Sequence, residues 1–222
     1  MSDGGYTRLE GGAKAFIAKP EGVPKRGIVI LPSMFGTTPA FEAIANRLAS
    51  EEGFGVCIPE IVTEETDFEK RRSVVVTLVD ADIFQILKEA AAATEAQDVA
   101  LIGFCVGGMY TMKATSLNLF DRLVAFYGMV HVPEYWQAPG QGEPLEYLRG
   151  NTDRILAIFG EKDEFIPLED IDTLEAAGVP VVRYSDAGHA FAHDGPHYRA
   201  DDAEDAWRRA TAFVTSGQTE IS

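Results

Sequence analysis

The sequence predicts an α/β fold: a doubly wound, mostly parallel sheet with helices on both faces and no large cap domain. Three observations predict it. Short apolar runs of strand length recur along the chain, longer amphipathic patterns separate them, and the connections carry Gly, Pro, Asp and Ser. Strands that alternate with helices are joined as right-handed βαβ units, which makes neighbouring strands parallel. No internal repeat and no Gly/Ser/Pro-rich linker interrupts the 222 residues, so one domain over 1–222 is expected.

Each element follows in order. Thr7–Glu10 and Ala13–Lys19 flank Gly11-Gly12, which reads as a hairpin with a two-residue turn. Gly27–Leu31 (GIVIL) is a continuous apolar run, the pattern of a strand buried on both faces. Pro39–Glu52 is helical and stops at Gly53; Gly55–Pro59 (GVCIP) is a second buried strand. Ser73–Ala96 carries one long amphipathic helical pattern. Asp98–Phe104 is a strand, Val106–Ser116 a helix and Arg122–Tyr127 a strand. Met129–Asp153 is irregular and too short for a cap domain. Arg154–Phe159 (strand), Pro167–Ala177 (helix), Val179–Tyr184 (strand) and Ala200–Thr215 (helix) complete the chain.

Charge and composition exclude several partners. Asp and Glu outnumber Lys and Arg by 35 to 19, a formal charge of −16. Nucleic acid and anionic membrane surfaces both select basic segments, so neither is an expected partner. No apolar stretch approaches the ~20 residues of a membrane helix. The first five residues show no basic stretch leading into an apolar one, so no secretory leader is expected. Two cysteines, Cys57 and Cys105, make neither a disulfide framework nor a four-cysteine zinc site, and a cytoplasmic location is expected. The strand bearing Cys57 and the strand leading to Cys105 are expected to flank Gly27–Leu31. Two strand spacings, about 9–10 Å, exceed the reach of a disulfide.

In sheets of this class, ligands bind beyond the carboxyl ends of the strands, so the segments leaving each strand hold the candidate chemistry. Gly103-Phe104-Cys105-Val106-Gly107 has the form G-x-C-x-G between a strand and a helix, the pattern of a nucleophile elbow. The sharp turn strains the middle residue, and side chains two positions to either side would collide there. The turn also sets the Cys105 sulfur at a helix N-terminus, where the dipole favours thiolate. A phosphate cradle is the competing reading of such a turn, but no further glycines or Lys follow in that pattern.

A thiol nucleophile needs a partner for its proton. Asp163 follows the strand ending at Phe159, and His189 follows the last strand, so nucleophile, acid and base come in the chain order of this fold. Glu161 and Glu164 read as solvated loop carboxylates, Asp170 as a helix-start charge, and His131 as a loop residue near the site mouth. His189, His193 and His197 recur every fourth residue, but Gly195-Pro196 breaks any helix that would align them, so no metal site is expected.

In IVILPSMFG, GVCIPEI, LIGFCVGG, Tyr127-Gly128, IFGEKDEFIP and DAGHAFAH, the chain resembles the dienelactone hydrolase family of α/β-hydrolases over most of its length. The resemblance implies a Cys105–His189–Asp163 triad. It implies hydrolysis of a small ester or lactone through a thioester, with no cofactor. An oxyanion hole is implied from the backbone N–H groups of Met34 and Val106, and substrate contacts from Ser33, Phe35, Tyr127, Phe191 and His193. The family's first motif usually reads Q-E-[IV]-[FW]-G, with its glutamate on the resting cysteine; Ser33 stands in its place. The family's arginine for a substrate carboxylate, in H-x-F-x-R, is here His193. Arg71 and Arg72 are cations in the chain that read as exposed helix-start residues. A monomer or small homo-oligomer is expected. The competing functional reading is a catalytically silent hydrolase fold that binds a small ligand or protein. A thiol redox role lacks a second cysteine placed to resolve an oxidised Cys105.

Overall fold

A computed structural model describes residues 4–62, 67–193 and 195–218. Met1–Asp3, part of the stretch read for a leader, lie outside these. Eight strands form one sheet in the order β1-β2-β4-β3-β5-β6-β7-β8. They are β1 (Gly5–Arg8), β2 (Lys14–Ala18), β3 (Arg26–Leu31), β4 (Phe54–Pro59), β5 (Val99–Phe104), β6 (Arg122–Phe126), β7 (Ile155–Gly160) and β8 (Val181–Tyr184). β1 and β2 pair antiparallel, as do β2 and β4; the pairs β3–β4, β6–β7 and β7–β8 are parallel. Every residue of β4, β5 and β7 is buried, as their unbroken apolar runs require. The order sets β3 between β4 and β5, so the strand bearing Cys57 and the strand that ends just before Cys105 are not neighbours, and both residues are free thiols.

The described residues fall into two compact units. One comprises the chain up to Leu101 with Leu119–Asp121 and Glu134–Gln141; the other comprises Ile102–Asn118, Arg122–Pro133 and the chain from Gly142.

In the first unit, α1 (Pro39–Arg47) starts on a Thr38 cap and continues as a wider turn to Gly53, whose φ of 76° ends it in the left-handed region that glycine tolerates. Two expectations are corrected here. The hairpin loop has three residues, not two: Leu9 N–H donates to the Ala13 carbonyl at 2.8 Å, so Glu10, Gly11 and Gly12 form the turn. Gly12, at φ 92°, takes the left-handed position that such three-residue loops need. The long helix expected over Ser73–Ala96 is two helices, α2 (Phe68–Val75) and α3 (Asp80–Ala93). The break falls after the β-branched run Val74-Val75-Val76-Thr77, where Thr77 turns both its N–H and its hydroxyl back onto the Val74 carbonyl. Gln141 Nε2 then donates to the Leu78 carbonyl at 2.8 Å, and Gly140 accepts from the Asp80 N–H at 3.1 Å. The backbone groups freed by the break are thus satisfied by a segment some sixty residues further along the chain, which a helical pattern does not register.

In the second unit, α4 (Val106–Lys113) is buried at every residue. A Cβ on Gly108 would strike the Phe126 carbonyl and the Gly128 backbone, so the glycine is what lets this helix lie against the end of β6. α5 (Pro144–Leu148) and the short turn Thr152–Arg154 interrupt the segment expected to be irregular, as does the turn Glu134–Trp136 in the first unit. α6 (Leu168–Ala176) follows β7, and α7 (Ala200–Ser216) closes the chain, burying Ala203, Ala206, Ala210, Phe213 and Val214 along one face. Among the described residues no helix is long and apolar enough to cross a membrane.

Candidate active site

Three strand ends of the second unit build the site. Cys105 follows the last residue of β5 and caps α4, with φ 57° and ψ −117°. That is a strained conformation for a residue with a side chain, and it is held by the Cys105 N–H donating to the Phe126 carbonyl at 3.1 Å. The crowding expected of the elbow is present: a Cβ on Gly103 would collide with the Gly107 carbonyl and the Thr111 hydroxyl. Val106, the next residue, opens α4 and is buried.

Asp163 lies in the loop leaving β7, its side chain wholly withdrawn from solvent. A buried carboxylate must be hydrogen-bonded to be tolerated, and both oxygens are engaged. Oδ1 accepts the Phe165 N–H at 2.8 Å, and Oδ2 lies 2.7 Å from His189 Nδ1. The Nδ1 contact leaves Nε2 as the ring nitrogen for the hydrogen bond His189 makes with the Cys105 side chain. Burial, the largest influence on His189, lowers its pKa, but hydrogen bonds to Asp163 and Cys105 and the charges behind them more than offset this. The net effect lifts His189 from 6.5 to about 10. The imidazole therefore carries a proton at neutral pH.

Aromatic rings flank that imidazole. Tyr127, directly after β6, is fully buried at a φ of 37°, with its ring centroid 5.1 Å from that of His189. Its phenol has no hydrogen-bond partner among the described residues, and burial, then Cys105 and Asp163, push its pKa well above 10. It stays neutral. Phe165 contributes a second ring, edge-on at 5.0 Å and 76°. Phe191 is buried against Tyr127 and Tyr184, and His193 is half-buried beside Phe104 and Tyr127. Among the expected site residues, Cys105, Val106, Asp163, His189, Tyr127, Phe191 and His193 thus all belong to this one unit.

Met34, Ser33 and Phe35 belong to the first unit. In the loop after β3, Ser33 and Met34 are buried and Phe35 is exposed. The Ser33 hydroxyl accepts the Phe35 N–H at 3.3 Å, and the Met34 carbonyl accepts Arg71 Nη1 at 3.0 Å. Arg71 and Arg72 both lie in α2, and the Arg72 guanidinium sits 4.9 Å from the centre of the Tyr135 ring. His131 is half-exposed, with Nδ1 3.5 Å from Glu143 Oε2. His189 and His193 lie in turns rather than a helix, and His197 is exposed. Among the described residues, no three His, Cys, Asp or Glu side chains gather closely enough to hold a metal ion.

Phe165 was the residue that sequence reasoning passed over. The signal available was an aromatic in an otherwise acidic loop, two positions beyond the candidate acid.

Comparison with known proteins identifies the family and the fold. The model of the dienelactone hydrolase family matches residues 13–217. A carboxymethylenebutenolidase of Rhodococcus opacus is 28% identical over 204 residues, covering 84% of this chain and 79% of the relative. Among solved structures, a dienelactone hydrolase-like promiscuous phosphotriesterase from metagenomic libraries superposes with a TM-score of 0.73 at 20% identity, covering 96% of this chain and 98% of the other. A butyrate-bound esterase of Thermogutta terrifontis gives 0.68 at 15% identity, covering 98% and 95%. At those identities the two structures speak for the fold.

Proposed function

Because the chain belongs to the dienelactone hydrolase family, we propose that it hydrolyses a small lactone or ester through a thioester on Cys105, with His189 moving the proton and Asp163 orienting His189. The observation that carries this reading is the hydrogen-bonded line from buried Asp163 through His189 to Cys105. A carboxylate–imidazole–nucleophile line suits acyl transfer, because each member fixes the tautomer or direction of the next.

The steps follow from where the proton sits. Cys105 Sγ, as thiolate, attacks the acyl carbon, and the carbonyl π electrons move onto oxygen. The N–H of Val106, the residue after the nucleophile at the start of α4, supplies a donor for that oxyanion, where a fixed donor is worth most. When the intermediate collapses, the acyl C–O bond breaks and His189 Nε2 delivers its proton to the leaving oxygen. An ester releases an alcohol; an opened lactone keeps its new hydroxyl on the acyl chain. Water then gives a proton to the neutral His189 and adds to the thioester. The C–S bond breaks, and the carboxylic acid departs from a restored thiolate–imidazolium pair.

A panel of small lactones, alkyl esters and aryl esters, run with the native chain and with Cys105→Ala, tests the proposal. Turnover is expected only with the native chain, with a loss of at least about 10³-fold in the variant. Full activity in Cys105→Ala would overturn the thiol mechanism. Saturable ligand binding with no turnover on the whole panel would favour a silent binding fold.

A further inference from the structure

We propose that Phe165 is the specificity-determining residue for the leaving group, so that the enzyme prefers esters and lactones whose departing oxygen carries a planar unsaturated or aromatic group. The inference rests on the hydrolytic reading above and extends it to the residue that reads the alcohol side of the substrate.

The loop from β7 to α6 fixes this ring in place. The Phe165 N–H is tied to Asp163 Oδ1 at 2.8 Å, and the next residue, Ile166, is buried in the core. Pinned on both sides, Phe165 nevertheless projects its ring outward at 57% exposure. Its edge-on contact with His189, centroids 5.0 Å apart at 76°, shields part of the imidazole. Leu168, at the start of α6, is also half-exposed, so the apolar side chains this loop turns to solvent include more than Phe165. A single exposed apolar side chain needs no explanation by itself. A rigid one packed against the proton donor is differently placed.

Chemistry supplies the rest. The atom that receives the His189 proton is the leaving oxygen, so the leaving group must stand at the imidazole in the transition state. Whatever that oxygen carries lies within reach of the ring already resting on His189. A planar π group gains offset or edge-to-face contact with Phe165, whose ring already rests against the imidazole. The acyl portion is bonded to Cys105 Sγ and so is placed by the elbow rather than by this loop. Phe165 should therefore discriminate among alcohols and not among acids.

Steady-state kinetics on the native chain and its variants separates these possibilities. Benzyl and cyclohexylmethyl acetate differ in ring planarity but release alcohols of similar acidity; 4-nitrophenyl acetate and butyrate vary only the acyl group. The native chain is expected to favour the benzyl over the cyclohexylmethyl ester in kcat/KM. Phe165→Ala is expected to abolish that preference by raising KM for benzyl acetate about 5–10-fold, while the acetate-to-butyrate ratio stays within about twofold. Phe165→Leu, which keeps apolar volume without a π face, should lose the preference while retaining kcat. Equal losses on every ester, or a shifted pH profile, would reveal support of Asp163 and His189 instead and overturn the proposal, as would an unchanged benzyl preference. Cys105→Ala runs beside these variants. Its full activity would sink the hydrolytic mechanism, whereas Cys105-dependent turnover with an unaltered benzyl preference would sink the Phe165 assignment alone.

Discussion

The two cysteines of this chain occupy opposite kinds of position on their strands. Cys57 lies inside β4, with every residue of that strand buried, and burial pushes its thiol up to about 12. Cys105 lies one residue past β5, partly exposed, in a strained backbone conformation, hydrogen-bonded to His189. The side chain is identical; its reactivity is decided by whether the strand continues. A residue within the sheet is locked among apolar neighbours, and desolvation suppresses its charged form. At the elbow the chain turns out of β5, and the Cys105 side chain meets the imidazole of His189. In the mechanism proposed above, the chemistry therefore belongs to the strand end and not to the thiol as such.

Alkylation provides the most severe test of that contrast. At pH 7, a thiol held near 12 is ionised to about one part in 10⁵, and Cys57 is inaccessible besides. Iodoacetamide is expected to modify one thiol of the native protein, Cys105, with hydrolytic activity falling in step. The second equivalent should enter only after unfolding, a rate difference above about 10³-fold. Peptide mapping identifies the modified residue. Two equivalents consumed by the native protein at similar rates would break the comparison.

That difference between the cysteines was largely readable from the sequence, because its signals are local. Glycines at 103 and 107 around Cys105 announce a crowded turn, and GVCIP announces a buried strand. Asp163 and His189 were found through chain order at strand ends. What escaped depended on distant segments. The α2–α3 break is satisfied by Gln141 and Gly140, so the continuous helical pattern of Ser73–Ala96 carried no mark of it. Phe165 escaped for a related reason: an aromatic in a loop acquires its meaning only when His189, some two dozen positions later, is folded against it. The hairpin was misjudged by one residue because Gly11-Gly12 suits more than one turn, and pairing of Arg8 with Lys14 decides between them.

Titration sharpens the contrast by giving each region its own pH window. His189 is raised in the folded chain, from 6.5 to about 10. A raised pKa contributes stability that is complete below the unfolded value and is lost as pH climbs through the folded one. The contribution of His189 should therefore fade between about pH 6.5 and 10. Cys57 is raised too, from 9.0 to about 12, so its contribution fades later, between about pH 9 and 12. Thermal midpoints across pH 6–11 are expected to decline less steeply over pH 7–9 for His189→Gln than for the native chain. Over that same interval Cys57→Ala should run parallel to the native curve and diverge only above about pH 9. If Cys57→Ala instead altered the slope at pH 7–8, the assignment of separate windows would be wrong.

Substitution of Cys57 itself carries the smallest effect and isolates packing from chemistry. Cys57→Ala removes one buried sulfur from a strand that is otherwise unchanged and is expected to cost about 1 kcal/mol. Cys57→Ser keeps the volume but places a hydroxyl where an apolar atom lay; an unsatisfied hydroxyl there costs about 1–3 kcal/mol. For a chain of this length each kcal/mol lowers Tm by about 2–4 °C, so serine should be the worse replacement although it is the closer isostere. Hydrolysis by either variant below its Tm should match the native rate within about twofold, because neither touches the line from Asp163 to Cys105. A serine variant as stable as the native chain would mean that position 57 finds a polar partner, and the strand interior would then be less apolar than its neighbours indicate.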